Sequence, residues 1–98
     1  MFVVLLRFAD KSRAAALMEA HKEWIADGFA DQVFVLLGNL ETGLGGAILA
    51  AGASRTDIEA RVNEDPFVKE GVVRAEVIEI TPSRADPRLA FLVEPRAR

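Results

Sequence analysis

The chain has 98 residues, of which 51% are hydrophobic and 28% charged, and its formal net charge at pH 7 is −3. This length makes one domain, the composition makes it globular, and the charge leaves no basic face for a nucleic-acid backbone. The absence of cysteine excludes a disulfide framework, a thiolate metal site and a cysteine nucleophile, and fits a reducing cytoplasm.

Residues 2–8, FVVLLRF, are β-branched and aromatic and read as a strand. Alternation sends Phe2, Val4, Leu6 and Phe8 to one face and Val3 and Leu5 to the other. Both faces are apolar, so the second also needs a cover. Arg7 interrupts this opening too early for a signal peptide, and no stretch approaches the roughly 20 apolar residues of a membrane span. The expectation is a soluble cytoplasmic protein without a membrane partner.

Residues 10–28 read as a helix, capped by Asp10 or Ser12, favoured by its alanines and stopped by Gly28. Ala14, Leu17, Met18, His21 and Ile25 follow the 3.6-residue period as its buried stripe, with Trp24 at the edge. Residues 32–40, QVFVLLGNL, and 45–53, GGAILAAGA, read as a hairpin. SRTD at 54–57 is a capping box with Asp in place of Glu, and it opens a second helix with Ile58 and Val62 on one face.

Asp65 precedes Pro66, whose ring disfavours helical geometry in the residue before it, so the second helix stops there. The same pair reads as N-cap and first position of one extra turn, PFVK, closed by Gly71. VVRAEVIEI, 72–80, is the fourth strand. The tail, 81–98, sets four arginines against Asp86 and Glu94 and holds one apolar knot, Leu89 to Val93. It is expected to add an edge strand or to dock on a partner subunit.

The order β-α-β-β-α-β is ferredoxin-like: an α+β domain over residues 1–80, with two helices on one face of an antiparallel sheet. The open apolar face asks for a second sheet. A face-to-face homodimer, a dimeric α/β-barrel-type assembly, is the simplest answer.

His21 is the only histidine, which excludes a multi-histidine metal site, and neither metal nor cofactor is expected. On position alone it reads first as a core histidine, and second as a partly buried general acid or base. Asp65 lies three residues after Val62, near the inward face, where a carboxylate orients an imidazole and stabilises its charged form. Asn39, after Gly38, reads as a turn residue or as an amide offered to a ligand. Trp24 and Phe29 read as core or as pocket lining, and Asn39, Trp24 and Phe67 are the candidate substrate-binding residues. GLGGAI, 43–48, is no dinucleotide fingerprint: its third glycine position falls on Ile48 and no helix follows, so it reads as a flexible hairpin turn.

On AHKEWI, LLGNL and DPFVKEGVV the chain resembles the YCII-related, or YciI-like, family of small α+β proteins over about residues 1–80. The resemblance implies a ferredoxin-like dimer with a His–Asp pair in a cleft, here His21 and Asp65. It departs from the family in having Asn39 where a proline often follows the hairpin glycine, and Met18 where an arginine commonly precedes the histidine by one turn. The expected activity is cofactor-independent proton transfer on a small molecule, of lyase or isomerase type. The alternative is a non-catalytic dimeric binding or accessory domain.

Overall fold

The computed structural model describes residues 1–93, so Glu94, Arg96 and Arg98 of the charged tail lie outside the described residues. Strand β1 (Phe2–Phe8) is followed by helix α1 (Ala14–Ala30), β2 (Phe34–Leu40), β3 (Gly45–Ala50), α2 (Arg55–Val62), the single turn α3 (Pro66–Lys69) and β4 (Val73–Glu79). The strands form one antiparallel sheet in the order β2-β3-β1-β4. This is the expected ferredoxin-like α+β arrangement.

The register shows how the helix-covered face is built. Across it run the rungs Phe34–Ala50–Phe2, Leu37–Ile48–Val4–Val77 and Asn39–Gly46–Leu6–Ala75. Phe2, Val4, Leu6, Phe34, Ile48 and Ala50 are buried there against Trp24, Ile58, Val62 and Phe67. The opposite face carries Val3, Leu5, Ala47 and Leu49, all partly buried, with Leu36 and Ile78 exposed beside them.

Three local readings change. Asp10 does cap, accepting from the Ser12 N–H at 2.9 Å, but it caps a short 3₁₀ turn (Lys11–Arg13), and α1 begins only at Ala14. Gly28 does not stop the helix. It is buried inside α1, where any Cβ would overlap the Phe34 ring. The stop is a Schellman arrangement: Gln32 adopts φ 61°, its N–H donates to the Phe29 carbonyl, and the Val33 N–H donates to that of Gly28. Finally, Trp24 is not at the edge of the α1 stripe but is one of the two buried residues of that helix.

Ser54 caps α2, its hydroxyl accepting from the Asp57 N–H at 3.1 Å, which is one half of the expected capping box. Strand β3 ends at Ala50, shortly before Gly52 turns the chain at φ 78°. In the tail, Pro87–Val93 winds into 3₁₀ turns, and Phe91 and Leu92 line a groove shared with Met1, Gln32 and Val35.

Candidate active site

Asp65 and Pro66 create a compact structural unit. Pro66 occupies the first position of α3 and Asp65 is its N-cap, with Oδ1 accepting from the Phe67 N–H at 3.0 Å. Capping turns the carboxylate inward, and the side chain is 0% exposed. The same Oδ1 lies 2.7 Å from Nδ1 of His21 on α1. An ionised carboxylate only accepts, so a hydrogen bond to it puts a proton on Nδ1, and in the neutral form of the ring this leaves the lone pair on Nε2. The other carboxylate oxygen, Oδ2, is buried without a partner among the described residues. A buried carboxylate is costly unless paired, and this one leans on His21 and a single backbone N–H.

The turn also fixes the plane of the imidazole. Phe67 stacks on His21 with ring centroids 4.0 Å apart and planes 3° from parallel. Trp24 lies 5.9 Å from His21, 21° from parallel. One face contact and one directional hydrogen bond leave the ring little freedom to turn. His21 is 13% exposed, and Nε2 is not among the sealed, unpartnered polar atoms of the described residues. The free nitrogen is therefore open to the adjoining cleft.

That cleft measures about 300 Å³ and has a mainly apolar wall. Its size is at the lower end for small-molecule sites. Leu6, Phe8, Phe67 and Val73 line it together with Met18 and Ile25 of α1 and the hairpin residues Leu37 and Asn39. Its floor is open because Gly46 places no side chain on the rung between Asn39 and Leu6. Gly45 is required next to it: φ is 141°, and a Cβ would strike the Leu6 carbonyl oxygen. The glycines of GLGGAI thus serve the cleft as well as the turn.

Among the expected site residues, His21, Asp65, Asn39 and Phe67 come together at this cleft, Asp65 behind the histidine and the others in the wall. Trp24 does not line it. Its indole N–H donates to the Arg61 carbonyl at 2.9 Å, and it borders a separate polar recess with Asp27, Asp31 and Glu64. Phe29 packs edge-on against Phe34 and is also away from the cleft. Phe8, Lys22, Leu37 and Gly46 were not singled out as site residues in the sequence. The one local hint was the glycine pair 45–46 beside an amide-bearing strand end. Among the described residues no three His, Asp or Glu side chains converge as a metal site requires.

No curated protein matches the chain in sequence. Among solved structures, the 5-chloro-2-hydroxyhydroquinone dehydrochlorinase (TftG) of Burkholderia phenoliruptrix AC1100, in complex with 2,5-dihydroxybenzoquinone, is similar with a TM-score of 0.65. The match covers 82% of this chain and 93% of that chain at 16% identity, a likeness of fold. A model of the YCII-related domain matches residues 1–82, and the chain belongs to that family.

Proposed function

We propose that this YCII-related chain is a cofactor-independent small-molecule enzyme in which His21 takes and returns a proton through Nε2 while Asp65 orients it. The 2.7 Å contact between Nδ1 and Oδ1 at the wall of an apolar cleft carries this reading. A proton on Nδ1 leaves Nε2 as base, and the carboxylate behind the ring stabilises the imidazolium formed when a substrate proton arrives. No serine, threonine or cysteine lines the cleft among the described residues, and proton abstraction followed by elimination or isomerisation needs none. The structural neighbour is a dehydrochlorinase, a lyase-type activity, and this favours elimination as the reaction class.

The test is turnover on a panel of chlorinated and hydroxylated aromatics, followed by chloride release and by solvent-deuterium uptake. His21→Gln is expected to lower any turnover by about 10²–10⁴-fold, the usual contribution of a general acid–base group. Asp65→Asn should lower kcat with less effect on KM. Undiminished turnover in His21→Gln would contradict the acid–base role of the histidine, and no turnover of any compound by the wild-type chain would favour binding alone.

We propose in addition that a second copy of the chain covers the open sheet face. Val3, Leu5, Ala47 and Leu49 are apolar and only partly buried, with exposed Leu36 and Ile78 extending the patch. Such a surface favours association. The tail's Phe91 and Leu92 are assigned to the rim of that contact. A dimer mass in dilute solution supports this assembly and a monomer mass contradicts it.

A further inference from the structure

The cleft carries an electrostatic asymmetry that the acid–base pair does not use. Its only polar side chains are those of His21, Lys22 and Asn39, and no carboxylate lines it, although the chain as a whole is net negative. Lys22 stands between Met18, one turn before it on α1, and Ile25, one turn after, and both line the same wall. Its side chain lines the cleft yet is 65% exposed, as expected of a lysine whose methylenes lie on apolar surface and whose ammonium stays in water. The nearest carboxylate, Glu19, is 4.0 Å away across a side chain that is 88% exposed, a contact of little strength.

A second cation stands close by. The Lys11 ammonium lies 4.8 Å from the centroid of Phe8, itself a wall residue, and makes no ion pair among the described residues. Lys22 in the wall and Lys11 over Phe8 set two positive charges against the single carboxylate behind the wall, Asp65, and this balance favours small anions over amines. The remaining wall, with Phe8, Phe67, Leu6 and Val73, accepts an apolar body.

We propose that the cleft takes a small organic anion with an apolar body, and that Lys22 is the specificity-determining residue that holds its anionic oxygen. This rests on the reading of the cleft as the substrate site, but not on proton transfer by His21. Lys11 adds long-range attraction. Asn39 offers its amide to a second polar atom of the same ligand.

Benzoate and its neutral analogue benzamide are the probes, titrated into the protein while the His21 and Phe67 ring resonances are followed by NMR. Benzoate should give saturable shifts with a Kd about tenfold or more below that of benzamide, as a hydrogen bond to a charged group provides. Lys22→Gln should bring benzoate to the benzamide value, and Lys22→Arg should restore the preference. Lys22 is on the surface, so neither change endangers the fold. Equal affinity for the two probes, no saturable benzoate shift, or an unchanged benzoate Kd in Lys22→Gln would overturn the inference. Binding needs no turnover: if benzoate binds through Lys22 and His21 proves inert, this inference stands and the acid–base reading falls.

Discussion

The two halves of α1 face the same sheet and meet it in opposite ways. Near its C-terminal end the helix has no side chain at Gly28, and the sheet sends up Phe34, whose ring fills the space and packs edge-on against both Trp24 and Phe29. Around His21 the relation is reversed. The helix presents side chains at Met18, His21 and Ile25, and the sheet withdraws its own at Gly46. One glycine lets a core close and the other keeps a cleft open. Dense packing at the first end anchors the helix from which His21 projects at the second, and a positioned acid–base group needs such an anchor.

Removing the anchor breaks the comparison at its strongest point. Phe34→Ala should cost about 3–5 kcal/mol of stability, read as a lower urea midpoint. Gly28→Ala should cost about 1–3 kcal/mol through overlap with the same ring, even though alanine gains up to about 1 kcal/mol in helix propensity. In the Phe34→Ala background that penalty should vanish, since the clash has lost its partner. Gly46→Ala makes the same chemical change at the other end and should behave differently. Its Cβ would sit 3.4 Å from the Gly38 carbonyl oxygen without overlap, so stability should hold or rise by about 0.5–1 kcal/mol. Benzoate binding should weaken as the floor fills. If Gly28→Ala and Gly46→Ala affect stability alike, the contrast drawn between the two ends is wrong.

The turn chemistry around Asp65 was legible in the sequence because it is local. An Asp before Pro sets the cap, Gly71 takes φ 75°, and the chain direction that results follows from neighbouring residues alone. The alternation of β1 likewise gave its two apolar faces. Gly28 was misread because a helix stop and a close approach are written with the same letter, and only the position of Phe34 in β2 tells them apart. The true stop uses Gln32 in a conformation more often taken by glycine, which hides the signal. The cleft wall was harder still. Phe8, Lys22 and Leu37 meet only once the order β2-β3-β1-β4 has placed the hairpin beside α1, and no short-range pattern records that order. Trp24 was open to two readings, core or pocket lining, and it packs on Phe34 and borders a polar recess away from the cleft.

The central claim is that Asp65 holds the proton of His21 on Nδ1 and frees Nε2 for the cleft. Nitrogen-15 NMR of the single histidine, at a pH where its ring is neutral, reads that proton directly. The account predicts an Nδ1–H imidazole in the wild-type protein and a change to the Nε2–H form in Asp65→Ala, with the fold retained. An Nε2–H ring in the wild-type protein, or a tautomer indifferent to Asp65, would contradict it.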